Sequence, residues 1–88
     1  MDKYVADTSV ILDGTLKEAV VSGSIRGTLF ILSEAVEYFS SLARQGDGIG
    51  IVGMEELRDL YDVVEKLGLG DLVKIEVVPA ARGLIPAS

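Results

Sequence analysis

Tyr4-Val5-Ala6-Asp7-Thr8-Ser9-Val10-Ile11-Leu12-Asp13-Gly14 packs three structural signals into eleven residues. Tyr4 to Ala6 is a short apolar run of strand type that ends at Asp7. Thr8 and Ser9 are residues that cap helices, so a brief helical turn through Leu12 is expected, and Asp13-Gly14 is a turn signal. Thr15 with Glu18 matches a capping box, with Leu16, Ala19 and Val20 on one helical face and Gly23 as the stop. A strand running directly into helix is the beginning of an α/β unit.

The rest of the chain repeats the alternation. Thr28-Leu29-Phe30-Ile31-Leu32 is a continuous apolar run of strand length, the pattern of a strand covered on both faces. Ser33 is placed to cap a helix whose stripe is Ala35, Val36, Phe39, Leu42 and Ala43. Gly46-Asp47-Gly48 with Gly50 predicts a loop. From about Met54, Leu57, Leu60, Tyr61, Val64 and Leu67 follow the i, i+3, i+4, i+7 spacing of a buried helix face. Arg58–Asp62 and Asp62–Lys66 stand at i, i+4 on its wet side, and Gly68 ends it. Val73, Ile75 and Val77 alternate with Lys74 and Glu76, as in an edge strand with one exposed face.

Strand, helices, strand, two helices, strand is the order of parallel strands joined by helical crossovers. The expected class is α/β with a three-layer, Rossmann-like arrangement around a short parallel sheet. The expected division is a domain over 1–78 and a tail over 79–88. If the first strand is central, its far edge is uncovered, which implies either more chain or a second copy. An apparently incomplete domain, with a homo-oligomer or a continuation of the chain closing that edge, is therefore the expectation. At 88 residues, a chain buries only about 60–65% of its unfolded surface, so such cover matters.

Composition narrows the chemistry. Cysteine and histidine are both absent, which removes thiolate zinc sites and the usual general base. No apolar run approaches the length of a membrane span, and Met1-Asp2-Lys3 lacks the profile of a signal peptide, so a cytoplasmic protein with no membrane partner is expected. Fourteen acids against eight bases give a net charge of −6. Such a surface repels nucleic acid, because non-specific affinity comes from Lys and Arg neutralising phosphates. A phosphodiester substrate would therefore require a divalent cation to supply the attraction. The glycines at 46, 48, 50 and 53 do not make a phosphate-binding loop, since no Gly-Lys-Ser/Thr follows.

Parallel crossovers bring the carboxyl ends of all strands to one edge, where ligands bind in open α/β sheets. Asp7 ends the first strand there, and Glu34 and Glu37 lie in the first turns after the second. Oxygen ligands without Cys or His suit Mg²⁺ or Mn²⁺. Each acid also has a plainer reading. Asp7 can be a helix cap, Glu34 an acid favoured by the helix dipole, and Glu37 part of a solvated helix face. Glu55, Glu56, Asp59 and Asp62 read as exposed helix surface.

Three segments in order resemble the PIN domain family: the opening stretch from Tyr4 to Gly14, Leu32-Ser33-Glu34-Ala35-Val36-Glu37, and Ile49-Gly50-Ile51-Val52-Gly53-Met54-Glu55-Glu56-Leu57. Together they span about residues 3 to 78, and the likeness is greatest to archaeal PIN domains at the N-terminus of larger ATPase or RNA-binding proteins. The resemblance implies a metal-dependent endoribonuclease acting on RNA, with three or four acids around Mg²⁺ or Mn²⁺. It implies Asp7 as the first acid, Ser9 as the small polar residue beside it, and an acid in the helix after the second strand. Glu37 is favoured for that place over Glu34. The family's remaining acids follow its third strand, so this chain is expected to carry part of a site and to be inactive alone. A non-catalytic interaction or oligomerisation module of a larger protein is the alternative.

Overall fold

The computed structural model describes residues 2–79; most of the expected tail over 79–88 lies outside them. The order is β1 (Asp2–Ala6), α1 (Thr8–Leu12), α2 (Thr15–Ser22), β2 (Gly27–Leu32), α3 (Ser33–Arg44), α4 (Gly48–Lys66) and β3 (Val73–Val78). The strands are parallel in the order β1-β2-β3, with Tyr4 beside Leu29 and Leu29 beside Ile75. The expected α/β class is present.

Both crossovers step in the same direction across the sheet. With right-handed connections, that places the four described helices on one face. Burial follows from this. Along β2, Leu29 and Ile31 are buried on the helical side, while Thr28, Phe30 and Leu32 are only half-buried on the other. The described residues thus supply two layers, sheet and helices. The double-sided cover expected for β2 is absent from them. Among the described strands β1 lies at the margin of the sheet. Its outer edge is unpaired among the described residues, and Val5 is 48% exposed.

One hydrophobic core lies between the layers, built around Ile11, Val20, Leu29, Ile31, Phe39, Leu60 and Val73. Phe39 is its largest buried side chain. The loop expected over Gly46 to Gly50 is shorter than the sequence suggests. Asp47 caps α4 by accepting the Ile49 N–H at 2.9 Å, and helix begins at Gly48. Gly50 and Gly53 are buried inside that helix. A Cβ on Gly50 would lie 2.3 Å from the backbone nitrogen of Ala43, and one on Gly53 would lie 2.4 Å from the Phe39 ring. These glycines are therefore the surface on which α4 closes over α3.

Three expected caps are replaced. Asp7, not Thr8 or Ser9, caps α1. Gly14, with φ 74°, precedes α2, so the Thr15–Glu18 capping box does not form. Leu32 stands at the N-cap of α3, and Ser33 is already helical. On α4 the i, i+4 ion pairs are not closed among the described residues; instead Lys17 of α2 reaches Asp59 at 3.7 Å. Such a half-exposed bridge stabilises by under about 1 kcal/mol.

Candidate functional site

The buried Ala6 anchors the last turn of β1 under the helices, and the chain emerges at Asp7. Asp7 is extended, with φ −99° and ψ −176°, and its own carbonyl accepts the Ile11 N–H at 3.1 Å to begin α1. Its side chain takes two hydrogen bonds on the same oxygen. The Val10 N–H donates to Oδ1 at 3.1 Å, and the Ser9 hydroxyl donates to it at 3.0 Å. Both donors favour the charged form, Val10 foremost and Ser9 next, and hold the carboxyl below its ordinary value. Asp7 is thus a fixed, ionised, exposed carboxylate at a strand end whose Oδ2 accepts neither bond. The helix-cap reading is correct, and the cap occupies Oδ1 alone.

Ser9 orients Asp7 rather than standing apart from it. The sequence placed the two residues together but missed the Val10 amide as the stronger donor. A backbone group has no signature of its own; the signal was the N-cap spacing, in which the third residue onward presents its N–H to the cap.

Glu34 and Glu37 sit on the exposed side of α3, one turn apart, while Ala35 and Phe39 face the core. The Ser33 hydroxyl donates to Glu34 Oε1 at 3.0 Å. Asp7, Glu34 and Glu37 are not brought into a group of three able to hold a metal, nor are any three acids among the described residues. Hard divalent cations take six or more oxygens, so one fixed carboxylate is a fragment of a coordination shell. The described residues by themselves do not fit a complete Mg²⁺ or Mn²⁺ site, and no chemical step follows from them alone.

The same edge carries a second feature on the β3 side. An apolar groove of about 250 Å³ runs between α3, α4 and the sheet, lined by Ile31, Val36, Met54, Leu57, Arg58, Tyr61 and Val77. Val77 is 49% exposed because the helical layer does not reach over the end of β3. The strand-end edge therefore has a polar corner at Asp7 and an apolar groove two strands away.

No family model matches the chain. It is 36% identical, over 64 residues, to a Methanocaldococcus jannaschii protein named as an uncharacterized KH and PIN-domain containing protein. That match takes in 68% of this chain and 10% of the relative. Among solved structures, it is similar to a domain of a functionally unknown protein from the same organism, with a TM-score of 0.77 and 29% identity. The superposition covers 89% of this chain and 54% of that one. This chain therefore spans about a tenth of the curated relative and about half of the structural one. The named relative supports reading the chain as a PIN-like domain, and the solved domain has the same α/β arrangement of sheet and helices. No described helix is long and apolar enough to cross a membrane.

Proposed function

We propose that this chain is part of a PIN-type, divalent-metal-dependent ribonuclease and contributes Asp7 as one acid of its site. The observation that carries this reading is the fixed carboxylate at the end of β1, ionised by Val10 and Ser9, in a chain similar to a protein named for a PIN domain. Ser9 is the positioning residue, and Glu37 is the proposed second ligand, preferred to Glu34. Mg²⁺ or Mn²⁺, when bound, would stabilise charge on a phosphodiester oxygen and supply an activated water. It would also offset the repulsion between RNA and a surface of net charge −6. The relative's name includes a KH domain, which supports RNA as the partner of the parent protein. Cytoplasmic residence belongs to the same proposal.

The test is Mn²⁺-dependent cleavage of single-stranded RNA by the full-length protein, wild type against Asp7→Asn. Asparagine caps helices as well as aspartate does, so the fold is kept while the charge is lost. We expect at least about a hundredfold loss of rate, the effect of removing a charge-stabilising group from a site. Equal activity in the two proteins would remove Asp7 from the site.

A non-catalytic module is favoured by one observation, the absence of any three-acid group among the described residues. The 88-residue chain distinguishes the two readings when titrated with Mn²⁺. Binding at millimolar concentration that is lost in Asp7→Asn supports a site fragment; no binding supports the module.

A further inference from the structure

The outer edge of β3 has a charge pattern that is complementary to itself. Gly27 donates its N–H to the Leu72 carbonyl at 2.9 Å, so the even-numbered residues of β3 direct their backbone groups at β2. Backbone groups alternate sides along a strand, so Ile75 and Val77 turn their N–H and C=O outward. Val73 presents its carbonyl outward too, its N–H being taken by the Leu69 carbonyl at 2.9 Å. No described element pairs with this edge. On the sheet face away from the helices, Lys74 and Glu76 stand side by side with 3.3 Å between their charged groups.

We propose that β3 pairs antiparallel with β3 of a second copy, across a two-fold axis at Ile75. In that register Ile75 and its symmetry mate exchange both backbone hydrogen bonds, and Val77 donates to the partner's Val73 carbonyl. Lys74 of each copy then lies opposite Glu76 of the other, twice. Outward backbone groups restrict pairing to registers that oppose odd with odd residues. Shifting the axis to Lys74 sets two lysines against each other, and shifting it to Glu76 sets two glutamates together. Parallel pairing through this edge would set odd residues of one copy beside even residues of the other, with the helical layers on opposite faces. It would bring Lys74 and Glu76 beside apolar residues instead of each other. One arrangement alone satisfies the charges.

The axis runs perpendicular to the sheet, so both helical layers fall on the same side. The apolar groove of each copy, at the half-exposed Val77 end of β3, then lies beside the Val73 end of the partner's strand, so the two grooves stand at opposite ends of the pair. The other free edge does not have this property: turned about Tyr4, β1 sets Lys3 against Val5 and Asp2 against Ala6. Exposed charges also occur on edge strands simply to discourage pairing. That alternative requires a monomer, whatever the charge order.

Sedimentation equilibrium of the 88-residue chain tests the proposal, with circular dichroism to establish that each variant is folded. Wild type is expected to be dimeric. Lys74→Glu and Glu76→Lys, each alone, place like charges across both symmetric contacts and weaken the dimer by about tenfold or more. Mixed in equal amounts, the two variants are complementary between chains, although each still repels within its own strand. The mixture should therefore form a heterodimer close to wild type in affinity. A monomeric wild type, a dimer indifferent to both variants, or a mixture no tighter than its components would overturn the proposal.

Discussion

The contact between α3 and α4 and the corner at Asp7 are made by opposite means. At the first, two glycines let a helix approach until backbone and ring meet without a gap, over a buried Phe39. At the second, an exposed carboxylate is held by two hydrogen bonds and little packing. One region carries stability and tolerates no added atom. The other carries charge and tolerates any residue that keeps the cap. Position in the sheet decides which is which: the helical layer closes over the strand middles and leaves the carboxyl ends open.

The contrast breaks first at Phe39. Phe39→Ala empties the centre of the core and should cost about 3–5 kcal/mol in urea unfolding. In a domain this small, that approaches the whole of its stability. A loss under about 1 kcal/mol would mean that α4 can collapse onto α3 without the ring.

Gly50→Ala is the next largest effect and the sharper probe. Alanine is favoured over glycine within a helix by about 1 kcal/mol, so on local grounds the substitution stabilises. The new Cβ, however, meets backbone atoms of Ala43, Phe39 and Leu42, all within 2.7 Å, and these cannot turn aside as a side-chain tip can. Overpacking of this kind costs about 1–3 kcal/mol, and we expect net destabilisation. A raised urea midpoint would show that the helices separate freely.

The smallest effect is at the corner, where it depends on pH. The Asp7 carboxyl is lowered in the fold, so its contribution is present above the ordinary carboxylate value. That contribution is lost as pH falls through the lowered folded value. The stability difference between wild type and Asp7→Asn should therefore shrink on acidification below the carboxylate range. Ser9→Ala removes one of the two donors and should move the Asp7 titration, followed by carboxyl carbon NMR, back toward the ordinary value. An unmoved titration would leave the backbone donors, Val10 foremost, as the cause.

Much of this was legible in the sequence. An apolar run ending at Asp7, a second behind Gly27 and an alternation over Val73, Ile75 and Val77 marked the three described strands, and the 3.6-residue stripe marked Leu57, Leu60 and Val64. Asp7 was placed at the strand end by topology alone. The start of α4 was not legible, because glycines at 48, 50 and 53 are loop signals by propensity. Only the contact of Gly50 and Gly53 with α3 offsets that cost. Glu37 shows the limit for the site: the sequence puts it after the second strand, but convergence with Asp7 is a relation between elements.

By itself, then, the chain's sequence determined the order of elements, the parallel crossovers and the location of one acid, since each depends on periodicity and neighbouring residues. The tertiary structure decided that the described helices share a face, that Gly50 and Gly53 lie at the α3–α4 contact, and that Asp7 is held from Val10 and Ser9. It also decided which backbone groups of β3 point outward, on which the self-complementary pairing of Lys74 with Glu76 depends. These are properties of distance between segments, and local sequence encodes spacing along the chain, not separation across it.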